Sequence, residues 1–105
     1  VLEGAWRRGP ERDMVLRHGL IQWVVALEHH RRGNPHGARV LLGRSWAKLA
    51  GAREGELGLE WAPLKAAHPA IARAFARWDA GGPRPEVSPP PLRRRQGAAP
   101  GSPRG

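Results

Sequence analysis

The stretch Gly19 to Ala38, GLIQWVVALEHHRRGNPHGA, limits the fold more than any other part of this 105-residue chain. Between Leu20 and Leu27 the only strongly polar side chain is Gln22. A helix apolar round most of its circumference is expected to be central and touched on several sides. One apolar row is Leu16, Leu20, Trp23, Val24 and Leu27, and a second is Met14, Ile21 and Val25, so two packing partners are expected. Gly19 would weaken an exposed helix by roughly 1 kcal/mol relative to Ala, which marks it as a point of close approach by another element. The helix then closes on Arg31-Arg32-Gly33, a basic last turn followed by a residue suited to a left-handed cap.

Asn34 and Pro35 open the next helix: Asn is among the best N-caps, and Pro at the first helical position gives up only an N–H that would lack a helical partner anyway. A connection this short makes the two helices antiparallel neighbours. The second helix carries Ala38, Leu41, Leu42, Trp46 and Leu49 as its apolar stripe and fades at Gly51. Upstream, Val1 to Arg8 is the remnant of a helix ended by Gly9-Pro10, and Glu11 and Asp13 suit the first turn of the central helix. Downstream of the AREGELG connector, a single helical turn around Pro63 is expected to stop at His68-Pro69, because a residue before proline avoids the helical region. A last helix then starts at Pro69, with Ile71, Ala74, Phe75 and Trp78 as its buried stripe, and ends at Gly81-Gly82.

The fold class expected is therefore all-α: a small helical bundle over residues 1–82 built on a central antiparallel helix pair, followed by a Pro/Arg-rich disordered tail over residues 83–105. That tail holds seven of the eleven prolines and no periodicity. About 80 residues remain to build a core, which makes its stability marginal, and five Trp residues supply much of the apolar area. No cysteine is present, so neither a disulfide framework nor a thiolate metal site enters. No apolar run approaches the roughly 20 residues of a membrane span, and a cytoplasmic protein without a membrane contact is expected.

GLIQ, a run of small and apolar residues and then RRGNPHGA resemble the family catalogued as domain of unknown function 309, small all-helical proteins. The family's first helix carries a pattern like HE-x-L-E-x-x-W-R, and Leu2, Glu3, Trp6 and Arg7 match its second half. The resemblance runs from Val1 to Trp78 and is strongest from Leu2 to Leu49. The chain begins where the family would already have shown its His-Glu pair, so the first helix is expected to be cut short. The family also has a smaller aliphatic at the position of Trp23, which implies local repacking. No activity comes with the family, so the resemblance implies a fold and leaves function open.

His18, Gln22 and His29 fall on one face of the central helix, at offsets of four and then seven. With Glu3, and with the His-Glu pair that the resemblance places upstream, they would make a metal or acid–base cluster; the plainer alternative is a solvent face. A divalent metal needs about three convergent protein ligands, so no metal and no cofactor is expected. His36 and His68 are expected to be exposed. Gly33, Asn34 and Gly37 could bind an anion through free backbone N–H groups, or serve only as cap and turn. Nucleophilic catalysis has little to draw on, since Ser45, Ser88 and Ser102 are the only hydroxyl side chains.

The formal net charge of +9 comes almost wholly from arginine, 16 of 18 basic residues. Arg31, Arg32, Arg39 and Arg44 near one corner, with Arg93, Arg94 and Arg95 as a mobile clamp, form a nucleic-acid reading. The role expected first is a non-enzymatic protein-interaction or structural one, as a homo-oligomer or with a protein partner, through an apolar strip left uncovered by the short first helix. Nucleic-acid binding and a His/Glu/Gln enzyme are the competing classes.

Overall fold

A computed structural model describes residues 9–94. These contain three α-helices, α1 (Gly9–Arg31), α2 (Pro35–Leu49) and α3 (Ala62–Asp79), with a single 3-10 turn at Glu56–Gly58 and no strand. The all-α class is thus as the sequence implied. Val1 to Arg8, and with them Leu2, Glu3, Trp6 and Arg7, lie outside the described residues, as do residues 95–105.

The reversal between α1 and α2 follows the chemistry of its sequence. Gly33 takes φ +80°, its N–H donates to the His30 carbonyl (3.1 Å) and the Asn34 N–H donates to the His29 carbonyl (2.8 Å). These two bonds are the Schellman pair that satisfies the last carbonyls of α1. Asn34 then turns its side chain forward, and its Oδ1 accepts from the Gly37 N–H (3.1 Å) to cap α2. The helices run antiparallel: His29 lies beside Gly37, while ten residues back Gly19 meets Lys48 and Leu49. A Cβ at Gly19 would stand 2.9 Å from Lys48 Cβ and 2.8 Å from Leu49 Cδ2, so the absence of a side chain is what lets α2 approach.

Two expectations about α1 and α3 need correction. The buried face of α1 holds Leu16, Gly19, Trp23 and Ala26, and Met14, Ile21, Val24 and Val25 point away from it and are exposed. Among the described residues, α1 is therefore packed on one side and not on two. The second correction is that α3 passes through Pro69 without a break. Leu64, His68, Ile71, Phe75 and Trp78 form one buried stripe, and a break at His68 would divide it. Pro69 itself is exposed, so the bond it cannot donate to the Lys65 carbonyl is lost on the face where water can replace it.

His68 is accordingly buried (7% exposed), not exposed as its place before proline suggested. Its ring stacks on Trp46 of α2, with centroids 3.8 Å apart and planes 8° from parallel. Burial pushes its pKa down, so the neutral ring is the one that fits. His68 Nδ1 and Trp23 Nε1 are buried without a hydrogen-bond partner among the described residues. Each costs about 1–3 kcal/mol, set against the large apolar area of the aromatic rings around them.

The connector to α3 is tied to the start of α1 by an ion pair. Arg12 donates through Nε and Nη2 to the two Glu56 carboxylate oxygens, and Nη2 also donates to the Gly51 carbonyl (2.9 Å). The same carboxylate accepts from the Arg53 N–H (2.7 Å). Glu54 accepts from the Trp61 N–H (3.0 Å), and the Trp61 indole donates to the Glu56 carbonyl (2.9 Å). The Arg12 guanidinium holds the Glu56 carboxyl down to about 2.

Gly19→Val is expected to lower stability by about 2 kcal/mol in urea unfolding. Gly43→Ala, which meets nothing within 4 Å, is expected to raise it by about 0.5–1 kcal/mol through helix propensity. For the ion pair, a folded-state pKa near 2 means the contribution is present above the ordinary value near 4.5 and disappears as pH falls from there towards 2. Glu56→Gln should remove that acid-side loss from a plot of unfolding free energy against pH, and should cost about 1–3 kcal/mol at neutral pH.

Candidate interaction surface

The outer face of α1 carries the strongest surface feature among the described residues. Met14 is 69% exposed, Ile21 60%, Val24 52% and Val25 38%. Met14, Ile21 and Val25 lie within about 20° of one line along the helix, and that line is opposite the row of Leu16, Trp23 and Ala26 that enters the core. Large aliphatic side chains repeated at helical spacing on the outside of a folded helix form a continuous strip, unlike the scattered single residues of an ordinary surface.

The strip continues at its C-terminal end into a groove of about 410 Å³, lined by Val24, Leu27, Glu28, Arg31, Arg84 and Val87 among others. The far wall of this groove is the first part of the tail. Residues 83–94 have no helix or ladder, in keeping with their lack of periodicity, yet they lie against the helices. Arg84 Nη2 donates to the His30 and Arg31 carbonyls (2.7 and 2.8 Å) and its guanidinium lies 5.9 Å from the Trp78 ring centre. Val87 packs against the core. Further on, the Glu60 N–H donates to the Arg93 carbonyl (2.9 Å), and Leu59 pairs with Arg94 in a single bridge. Nothing in the composition of this segment signals the path; a lone Arg positioned to meet the last carbonyls of α1 is its anchor.

His30 is the hinge of this corner and was not singled out by the sequence. Its ring stacks on Phe75 (5.6 Å, 19°), meets Trp78 edge-on (5.5 Å) and places Nε2 2.6 Å from the Pro85 carbonyl, to which it donates. The signal available was its position on the buried side of the last turn of α1, one residue from His29.

The residues expected to form a polar cluster are placed separately. His18 is exposed on the outer face, next to the apolar strip. Gln22 turns towards α2, and its Oε1 accepts from Lys48 Nζ (2.9 Å). His29 sits in the reversal, where its Nδ1 accepts from Asn34 Nδ2 (3.0 Å). Glu3 lies outside the described residues. Among the described residues no three His, Cys, Asp or Glu side chains are grouped so as to hold a metal. Gly33, Asn34 and Gly37 work as cap and turn, and a Cβ on Gly37 would meet Asn34 Nδ2 at 2.7 Å and the His29 ring at 2.9 Å. Ser45 is buried and donates to the Leu42 carbonyl (2.8 Å).

The basic residues at this corner are largely engaged within the chain. Arg31 and Arg32 both donate to Glu28, and these bonds hold its carboxyl down to about 2. Arg39 donates to Asp79, which lies below the usual carboxylate range chiefly because of that bond and secondarily because of His36. Arg93 and Arg94 are exposed on the returning segment, and Arg95 lies outside the described residues. No helix of the described residues is long and apolar enough to cross a membrane.

Arg84→Ala is expected to release the segment from the end of α1. Trypsin should then cut at Arg93 and Arg94 several-fold faster than in the parent chain while the melting temperature falls by only a few degrees, in line with about 1–2 kcal/mol for two hydrogen bonds to a charged donor. Equal cleavage rates would show that the contacts of Val87 and Pro85 hold the segment without Arg84.

No curated protein and no solved structure matches the chain. Residues 1–41 match the family model described as Domain of unknown function (DUF309). This match covers Leu2, Glu3, Trp6 and Arg7, the GLIQ sequence and the RRGNPHGA reversal, and stops short of the span from Val1 to Trp78 over which the motifs had suggested a likeness. Over residues 1–41, from Val1 through the reversal into α2, the chain is thus similar to the family catalogued as domain of unknown function 309.

Proposed function

We propose that this is a small helical protein-interaction module whose working surface is the outer face of α1. The observation that carries the reading is the run of exposed Met14, Ile21, Val24 and Val25 on a helix whose opposite face is fully committed to the core. Keeping that much aliphatic area in water is unfavourable by about 25 cal/mol per Å², and covering it with a partner recovers that free energy. The groove beside Val24 extends the surface and adds a polar rim at Glu28, Arg31 and Arg84, the arrangement of apolar centre and charged edge found in protein interfaces.

The arginine corner supports nucleic-acid binding less well. Arg31, Arg32 and Arg39 already face carboxylates at hydrogen-bond distance, so moving them onto phosphates means giving up those partners. For an acid–base or metal site, Gln22 and His29 would have to leave Lys48 and Asn34.

A photo-crosslinking residue placed at Val24 tests the reading in cells. The expected result is a small number of discrete protein adducts that disappear when Ile21→Lys is added. A matched probe at exposed Arg73 on α3 should give none of them. No adducts at Val24, or the same adducts from both positions, would contradict a working surface on α1.

A further inference from the structure

We infer that the corner where α1 ends against α3 is a recognition site for extended segments of the pattern Arg-Pro-x-aliphatic, supplied by a partner protein, and that residues 84–93 occupy this site in cis. The site lies at the C-terminal end of α1, beyond the outer strip, and its occupant is present in the chain itself.

Three contacts read the segment. Arg84 Nη2 donates to the His30 and Arg31 carbonyls (2.7 and 2.8 Å), and its guanidinium lies 5.9 Å from the Trp78 ring centre. A planar cation is thus placed at the negative end of a helix and beside an aromatic face. His30 Nε2 donates to the Pro85 carbonyl (2.6 Å), and Val87 packs against the core. Further along, the Glu60 N–H donates to the Arg93 carbonyl (2.9 Å) and Leu59 pairs with Arg94. These are backbone contacts, which hold an extended chain whatever its side chains. Pro83, Pro85, Pro89, Pro90 and Pro91 stiffen the segment, and a chain of that kind is seated at a low cost in ordering.

The segment is seated as a ligand is, without being needed by the helices it touches. The Schellman bonds of Gly33 and Asn34 cap α1 without it. α3 likewise closes on itself, through the Gly81 N–H to the Trp78 carbonyl (3.0 Å) and the Gly82 N–H to the Arg77 carbonyl (2.8 Å). Pro85, Val87 and Pro90 are half-buried, and no residue from 83 to 94 is fully buried. Its departure uncaps neither helix, but uncovers the His30 and Trp78 rings, so the site favours being filled. The fit is incomplete: an open groove of about 410 Å³ remains beside Val87 and Pro89, and a larger aliphatic side chain at the place of Val87 would bury more surface there. A tethered segment is present at about millimolar effective concentration. The tail of another copy at micromolar concentration therefore does not displace it, whereas a partner segment that fills the groove better does.

Fluorescence anisotropy with a labelled peptide of residues 83–93 tests the inference. The full chain carrying Arg84→Ala, whose own segment is released, is expected to bind the peptide with a dissociation constant of roughly 100–500 μM. The parent chain should bind it about tenfold more weakly, because its own segment competes. Val87→Leu in the peptide should tighten binding about fourfold, the gain of one buried methylene, and Arg84→Ala in the peptide should abolish it. In the complex with the Arg84→Ala chain, amide shifts should centre on Arg31, Arg32 and Gly33 and spare Met14 and Ile21. No binding to the Arg84→Ala chain, equal affinity for parent and variant, or an alanine peptide that binds as well as the original overturns the site. A leucine peptide that binds no tighter overturns the assignment of the groove to that side chain. Shifts centred on Met14 and Ile21 would also overturn the site, while leaving the outer strip of α1 as an interaction surface.

Discussion

The contact of α1 with α2 at Gly19 is the constraint on which the rest of the molecule depends. Because no Cβ stands between Gly19 and the side chains of Lys48 and Leu49, the two helices lie close, and Trp23 and Ala26 are buried in the shared core. The Schellman bonds at Gly33 and Asn34 fix the opposite end of the pair. A helix held at both ends in this way has its rotation set. One face must be core, and the face opposite it, with Met14, Ile21 and Val25, must be presented outward.

α3 is added to this pair through aromatic rings. His68 stacks on Trp46 near the end of α2, and separately Phe75 and Trp78 enclose His30 at the end of α1, where the three rings form one cluster. Arg84 and Pro85 join the first tail residues to that cluster. The corner is therefore both the C-terminal end of the apolar strip and the anchor of the segment that walls its groove. Packing and surface are two consequences of one arrangement, which is why substitutions that loosen the corner are expected to alter the groove as well.

Much of this was legible in the residues. The N-cap Asn34, Pro35, Gly33 and the small Gly19 each have one dominant physical use, and each is used that way. The stripes ending in Leu49 and Trp78 were equally plain. What misled was periodicity without knowledge of the partner: Met14, Ile21 and Val25 repeat as a buried row would, and nothing local says whether the opposing surface lies within the described residues. Pro69 misled for a different reason. Local backbone preference pointed to a break, and the continuous stripe from Leu64 to Trp78 outweighed it. The ion pair of Arg12 with Glu56 and the anchoring by Arg84 join positions far apart in sequence, where neither spacing nor composition leaves a trace.

α1 thus has two faces, one committed to the core and one presented outward. Relaxation of the methyl groups by a soluble paramagnetic probe distinguishes them. The methyls of Met14, Ile21 and Val25 are expected to relax strongly, while those of the buried Leu16, Leu42 and Leu49 are protected. Protection of the outer methyls equal to that of the buried leucines, or strong relaxation of both sets, would contradict this arrangement.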